Sequence, residues 1–94
     1  MLTFQLGQNY PNPFNPYTEI PFSLEMDQIV SLKIYDIQGR IIQSLVDNTN
    51  LSAGYHKMAW DGKNNLGLQV PSGMYFYKLK SNNHTLTKKM VVMK

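Results

Sequence analysis

The chain has 94 residues, of which 43% are hydrophobic and 16% are charged, and its net charge is +3. A chain of this length builds one domain around a single modest core, and the composition excludes a disordered chain. The absence of cysteine excludes a disulfide scaffold and a cysteine zinc site. No apolar run reaches the roughly 20 residues of a membrane-spanning helix.

Three of the five prolines fall in the string Q-N-Y-P-N-P-F-N-P, which runs from Gln8 to Pro16. Proline lacks an N–H donor, fixes its own φ and pushes the preceding residue toward extended geometry. The segment can therefore form neither a helix nor a central strand, yet Tyr10 and Phe14 are too apolar for a linker. We predict a stiff ribbon over residues 8–16, laid along one edge of a β-fold and anchored by these two aromatic residues.

Apolar and polar residues alternate in most of the remaining chain, with turn residues roughly every dozen positions. This pattern predicts six β-strands, at residues 18–24, 29–36, 40–47, 54–60, 73–81 and 84–94. With the ribbon as a seventh strand, the sequence predicts a single all-β domain over residues 1–94, a sandwich or barrel that requires no helix.

Local features add detail to these strands. Pro21 suggests that the first strand lies at an edge or that the missing N–H faces solvent. The apolar residues of segment 40–47 do not alternate cleanly, and their β-branched content favours a strand with a bulge over a helical turn. Residues 47–54 are predicted to form a polar loop with Leu51 turned inward. Asn82-Asn83 predicts a two-residue hairpin connection, because asparagine tolerates positive φ.

The only tryptophan, Trp60, ends an alternating strand, which favours a place in the core over a platform for stacking sugars. Asp61, Asn64 and Asn65 follow it and can ligate calcium through oxygen. Their spacing does not match an EF-hand loop and no glutamate closes the site, so turn-stabilising roles are favoured.

The residues for catalysis are sparse. His56 and His84 are the only histidines, and no serine-histidine-acid or histidine-metal arrangement can be assembled from them. We therefore predict a domain that is not an enzyme and uses no cofactor.

Five lysines lie in the last seventeen residues: Lys78, Lys80, Lys88, Lys89 and Lys94. Lysines on the wet face of paired strands also protect a sheet edge, which is the first interpretation. The second is a basic surface for an acidic partner. No RNP-like or helix-turn-helix pattern supports a nucleic-acid partner.

Five stretches, in this order and spacing, closely resemble the type A C-terminal sorting domain of the type IX secretion system. The same pattern is shared with the immunoglobulin-like domain of flagellar hook capping proteins. The resemblance spans the chain from about Leu6 to Lys94. The stretches are the ribbon string, I-Y-D-I-Q-G-R from Ile34, A-G-Y-H-K-M-A-W-D-G from Ala53, P-S-G-M-Y-F-Y-K-L from Pro71 and T-K-K-M-V-V-M-K from Thr87.

The resemblance implies an immunoglobulin-like or fibronectin-like β-sandwich of about seven strands at the C-terminus of a larger secreted protein. It implies a covalently linked upstream cargo, an outer-membrane translocon that recognises the domain, and often a surface sortase that removes it. The protein is then expected in the medium or at the cell surface. Matching positions nominate the recognition residues Lys88, Lys89, Lys94, Gly73, Tyr75, Asn12 and Pro13.

Two other functions stay open at the level of sequence. One is a fibronectin-like module that binds carbohydrate or protein on a secreted enzyme, for which Tyr35 and Tyr55 are the outward aromatic candidates. The other is a structural assembly domain of the hook-capping kind. For the sorting function itself, strand addition to the edge of the last strand and electrostatic contact through its lysines are both possible routes.

Overall fold

The computed structural model describes residues 2–14 and 17–93, and all regular elements in these ranges are β-strands. They form two antiparallel sheets, one of order β1-β2-β5 and one of order β4-β3-β6-β7. The prediction of an all-β sandwich with about seven strands is confirmed. The strands are β1 Gln5–Leu6, β2 Thr18–Leu24, β3 Gln28–Tyr35, β4 Ile41–Leu51, β5 Gly54–Trp60, β6 Gly73–Lys80 and β7 Thr85–Val92.

The core lies between the two sheets because alternate residues of β2, β3, β5, β6 and β7 point inward. Trp60 closes one end of this core and is 1% exposed, which confirms its predicted place. Its ring centroid lies 5.5 Å from that of Phe14 and 6.1 Å from that of Tyr75, and its indole N–H donates to the carbonyl of Lys63 at 2.9 Å. No helix in the described ranges is long and apolar enough to cross a membrane.

The seventh strand is not the predicted ribbon. It is β1, which precedes the ribbon and pairs with β2. Within the ribbon, Asn15 and Pro16 lie outside the described residues, and the rest forms only single bridges, from Tyr10 to Glu19 and from Phe14 to Val92. Prolines that cannot donate to a ladder explain why the pairing stays this short.

The anchoring role predicted for Tyr10 is wrong, whereas Phe14 is an anchor at 2% exposure. Tyr10 is 80% exposed, because its N–H and C=O both bond to Glu19 and its side chain shares the outer face with that residue. The alternation turns Asn9 inward instead, where it is 2% exposed. The ribbon is therefore held by one aromatic residue and one buried amide.

The edge position predicted from Pro21 is also wrong, since β2 is the middle strand of its sheet. The alternative, a missing N–H that faces solvent, is wrong as well: the Pro21 carbonyl accepts the N–H of Gly7 at 2.8 Å, so this side of Pro21 faces Gly7, directly after β1. The carbonyl of Gly7 accepts the hydroxyl of Tyr77 at 2.8 Å instead. A side chain from the opposite sheet thus supplies the bond that proline cannot make.

Two loop predictions need correction. The polar loop expected over residues 47–54 is mostly strand, because β4 pairs with β3 as far as Leu51, which packs inward as predicted. Register shifts along this pair confirm the predicted bulge.

The turn at Asn82-Asn83 is present and is closed by a bond from the Ser81 N–H to the His84 carbonyl at 2.9 Å. Neither asparagine has the expected positive φ.

Replacing Tyr77 by phenylalanine is expected to destabilise the domain by about 1–3 kcal/mol at pH 7. The hydroxyl of this fully buried residue donates to the Gly7 carbonyl and accepts the Asn9 N–H at 2.9 Å, and the substitution leaves both groups unpaired. Urea denaturation followed by circular dichroism measures the loss. An unchanged unfolding midpoint would contradict the bridging role.

The same variant gives a pH test. Burial raises the pKa of Tyr77 to about 12 from 10.0, an effect that the Asn9 N–H bond only partly offsets. The folded state holds the phenolic proton more tightly than the unfolded state does. The stability that the protonated Tyr77 hydroxyl contributes is therefore complete below pH 10 and is lost as the pH rises through 12. The stability difference between the wild-type chain and Tyr77→Phe should therefore narrow over that interval.

Candidate functional site

The edge of β7 next to the Asn-Pro segment, defined as residues 8–14, is the candidate site. β7 is an outer strand of the four-stranded sheet. The Phe14 N–H donates to the Val91 carbonyl at 3.2 Å, and the Met93 N–H donates to the Phe14 carbonyl at 3.0 Å. The outward backbone groups of β7 therefore belong to its odd-numbered residues, and those near its end are already paired.

Side chains of the Asn-Pro segment supply the remaining bonds to this edge. Asn12 Oδ1 accepts the Val91 N–H at 2.9 Å, and Gln8 Nε2 donates to the Lys89 carbonyl at 2.9 Å. Pro11 and Pro13 bring no backbone donor, so the amide side chains of Asn12, which lies between them, and of Gln8 make the bonds that a ladder would otherwise supply. Asn12 and Pro13, which the sequence nominated for recognition, lie in this edge cover.

The segment itself is held by a buried polar cluster. Asn9 Nδ2 donates to the Pro11 carbonyl at 3.2 Å and to Thr18 Oγ1 at 3.1 Å. The Thr18 hydroxyl, on a residue with no exposed surface, donates to the same Pro11 carbonyl at 2.7 Å. Buried polar groups that satisfy one another fix a single arrangement. Asn9 thus positions the edge cover.

The cover stops part-way along β7. Among the described residues β7 pairs only with β6, and the bonds from the Asn-Pro segment begin at Lys89. In the described ranges, no strand is hydrogen-bonded to the outward groups of Thr85 and Thr87, which continue the edge. A groove between β1 and this part of β7 is lined by Phe4, Gly7, Leu86 and Lys88, among others. The open edge and the groove lie side by side.

The structure separates the predicted pair Lys88-Lys89. Lys88 is opposite Tyr77 in the register and shares the inward face with Met90, at the rim of the groove. Lys89 is opposite Phe76 on the outer face. Successive residues of a strand point to opposite faces, so one partner surface does not meet both ammonium groups in the same way. Lys94 lies outside the described residues.

Gly73 and Tyr75 are placed in the framework. Gly73 begins β6 with φ of 148°, opposite Val92. Tyr75 is 6% exposed, and its hydroxyl donates to the Pro71 carbonyl at 2.7 Å. Burial raises the pKa of Tyr75, and Asp36 adds to the effect. A buried ring is positioned for packing, and recognition of either residue by a partner stays a prediction.

The loop after Trp60 uses its oxygen atoms for turns. Asp61 Oδ1 accepts the Lys63 N–H at 3.1 Å. Asn64 Oδ1 accepts the N–H groups of Leu66 and Leu68 at 2.9 and 3.0 Å, and the Asn65 N–H donates to the Ile42 carbonyl at 2.9 Å. In the described part of the chain no three acidic, histidine or cysteine residues group as metal ligands. These contacts support the turn-stabilising interpretation.

Both histidines stack on phenylalanine. The His56 ring centroid lies 5.2 Å from that of Phe22, and its Nε2 is 2.8 Å from the Ser52 carbonyl. The His84 ring lies 5.0 Å from that of Phe4. The imidazole groups therefore serve packing contacts at two separate places.

The model of the secretion system C-terminal sorting domain family matches residues 8–93. The chain belongs to this family. Domains of the family direct the proteins that carry them across the outer membrane by the type IX secretion system, to the cell surface or the medium. The family, fold and export route predicted from the sequence are confirmed.

Curated relatives support the predicted link to hook proteins. The sorting domain is 36% identical over 66 residues to the basal-body rod modification protein FlgD of Salmonella typhimurium, covering 67% of this chain and 28% of that protein. For FlgD of Escherichia coli the identity is 32% over 69 residues, covering 70% and 29%. The chain thus spans less than a third of the curated relatives that it matches.

Solved structures share the fold. Dimeric latent PorU from Porphyromonas gingivalis matches with a TM-score of 0.74 and 23% identity, over 92% of this chain and 9% of that one. PorZ from the same organism is described as an essential surface component of its type-IX secretion system. It matches with a TM-score of 0.64 and 22% identity, over 93% of this chain and 11% of that one. FlgD from P. aeruginosa matches with a TM-score of 0.62 and 20% identity, over 80% of this chain and 59% of that one.

Proposed function

We propose that the sorting domain is a non-catalytic export signal that is recognised, once folded, at the open part of the β7 edge. The cargo is a covalently linked domain upstream, and the outer-membrane translocon of the type IX system binds the signal. A surface sortase that removes the domain after export belongs to the same proposal. The domain offers a surface for docking, and both of its histidines are engaged in packing.

The observation that carries the proposal is the incomplete cover of β7. An unpaired edge invites an added strand, and proteins usually protect long edges. Here the Asn-Pro segment covers the edge from Lys89 to Met93. The part with Thr85 and Thr87 is left open beside the groove that Lys88 lines. A strand from the translocon added there would lie in line with the Asn-Pro segment.

The alternative of a carbohydrate-binding module receives little support. Tyr55 is 84% exposed on β5, but Tyr35 lies on β3 in the other sheet, with the ammonium of Lys78 5.0 Å from its ring centroid. The two predicted aromatic candidates therefore do not form one stacking platform. Assembly of the hook-capping kind rests on the likeness to FlgD alone.

The test is export of a periplasmic reporter fused to the N-terminus of this domain, in a host whose type IX system is shown to be working. The intact fusion should reach the surface or the medium. Thr87→Pro should block export, because it removes an outward N–H and places a ring on the open edge while the bonds to β6 remain. Thr87→Val is the matched control, and it should be exported normally.

Single lysine variants then distinguish recognition through the open β7 edge from recognition through the charge of its lysines. Lys88→Gln and Lys89→Gln remove charge from opposite faces of β7 and leave Met90 and Val92 in the core. Weaker export for Lys88→Gln alone would support recognition beside the groove. Normal export of Thr87→Pro would remove the open edge from the mechanism. Retention of the intact fusion in the periplasm would count against the sorting function of this chain.

A further inference from the structure

The outer face of the four-stranded sheet brings together lysines from three strands. Lys33 of β3 lies directly opposite Lys78 of β6, and Lys80 follows two residues later on the same face, opposite Ser31. Lys89 of β7 lies opposite Phe76, one step further across the sheet. Their neighbours in the strands, which include Leu32, Leu79 and Met90, are buried, so these four lysines all belong to the outer surface.

This basic face, defined by Lys33, Lys78, Lys80 and Lys89, has little compensating charge. Asp47 is the carboxylate that reaches it, 3.5 Å from the ammonium of Lys33. β6 and β7 contain no acidic residue. Four lysines and one aspartate give the face a charge of +3, the same as the net charge of the whole chain. The excess positive charge of the chain is therefore concentrated on one surface.

Like charges directly opposite each other on neighbouring strands are unfavourable in general, and Lys33 and Lys78 are such a pair. Places where a local rule is broken without an evident gain are candidates for function. A bound anion between the two ammonium groups would remove the repulsion.

The face is also concave. A groove of about 270 Å³ lies over it, lined by Ile29, Ser31, Lys33, Asp47, Lys78 and Lys80, among others. The hydroxyl of Ser31 accepts the Asn48 N–H at 3.0 Å. Ile29 is 51% exposed at the same surface. The groove thus offers ammonium donors together with one open apolar side chain.

We propose that this basic face binds an acidic, extended segment of a protein partner. Lys78 and Lys80 are two residues apart on one face, a spacing of about 7 Å that matches alternate side chains of an extended peptide. Lys33 and Lys78 together can hold one carboxylate, and Ile29 can contact an apolar neighbour in the segment. The face is separate from the open β7 edge, so the proposal goes beyond the export signal and does not depend on it.

A nucleic acid fits this surface less well. Single-stranded nucleic acid binds through open aromatic platforms on which bases stack. Tyr35 supplies an aromatic ring to the groove, and the Lys78 ammonium already lies 5.0 Å from the centroid of that ring. The ring face is occupied by a charge of the same site, which favours carboxylates between the lysines over stacked bases.

The test is fluorescence anisotropy with a labelled peptide of alternating glutamate and threonine, titrated with the whole 94-residue chain at low salt. Lys78→Gln with Lys80→Gln should weaken binding about tenfold, by loss of two charged contacts. Lys57→Gln with Lys63→Gln removes the same charge elsewhere and should change binding less than twofold, that is, by roughly 0.4 kcal/mol or less. Asp47→Asn should tighten binding, because it removes the competing carboxylate.

Three outcomes would overturn the proposal. No binding by the wild-type chain would do so, and so would equal losses in the two double variants, which would indicate net charge alone. Tighter binding of a thymidine oligonucleotide than of the peptide at the same salt, with the same loss in Lys78→Gln/Lys80→Gln, would assign the face to nucleic acid instead. Far-ultraviolet circular dichroism confirms that each variant is folded.

Discussion

Replacing Trp60 by alanine is expected to remove most of the stability of the domain. The side chain is 1% exposed and packs on Phe14 and Tyr75, and its indole N–H bonds to the Lys63 carbonyl. Truncation of a core tryptophan costs about 3–5 kcal/mol, which is a large share of the 5–15 kcal/mol that typically stabilise a domain. Urea denaturation should show a greatly lowered midpoint or no cooperative transition.

Tyr10→Ala is the matched control for this truncation. Tyr10 is also aromatic but is 80% exposed, so its loss should change the free energy of unfolding by about 0.5 kcal/mol or less. In the wild-type chain the emission of Trp60 should be blue-shifted relative to free tryptophan. A Trp60→Ala variant as stable as Tyr10→Ala would show that the ring does not support the core.

Replacing Phe14 by alanine is expected to cost about 3–5 kcal/mol and to release the Asn-Pro segment from β7. Phe14 is 2% exposed, and its own N–H and C=O bond to β7. Hydrogen exchange measures the release, because the N–H groups of Val91 and Met93 lose their partners Asn12 and Phe14. Relative to the wild-type chain, exchange of these two amides should speed up more in Phe14→Ala than exchange of the amides of the central strand β3.

Tyr17→Ala is the control for this second variant, because Tyr17 is aromatic, close in sequence and 51% exposed. It should leave the exchange of Val91 and Met93 unchanged. If Phe14→Ala exposed all strands equally, its effect would be global unfolding. If the two β7 amides kept their protection, the segment would be held without Phe14.

Most strands could be predicted because their signal is local. Val30, Leu32 and Ile34 alternate with polar residues, and all three are buried as expected. The turn at Asn82-Asn83 and the bulge in β4 could also be predicted from neighbouring residues. In each case the preference of a short segment agrees with the fold around it.

The errors arise where a distant residue decides the outcome. Pro21 occupies a middle strand because Tyr77, more than fifty residues later, supplies the bond to Gly7. Tyr10 is exposed and Asn9 is buried because their register is set by pairing with Glu19. Alternation in a proline-rich segment is too weak to fix which face points inward.

The candidate site shows the same division. The sequence predicted that the asparagine-proline string lies along a sheet edge, and residues 8–14 do so, but it did not show that the covered strand is β7. Lys88 and Lys89 form a pair in sequence, and the strand places them on opposite faces. A basic surface was predicted from the lysines of the last two strands, but the part played by Lys33 was not, because Lys33 meets Lys78 only through the non-consecutive neighbours β3 and β6. Sorting the lysines by strand face would have separated Lys88 from Lys78, Lys80 and Lys89.

The bridge between Phe14 and Val92 is parallel, and this has a mechanical consequence. If the domain is held by its last strand while the chain before it is pulled, the Asn-Pro segment and β7 are drawn in opposite directions along their length. The bonds at Lys89, Val91 and Met93 then bear the load together instead of opening one by one. Resistance to such pulling is governed by the unfolding rate. We expect the joined ends of the domain to form a clamp against tension from an attached cargo.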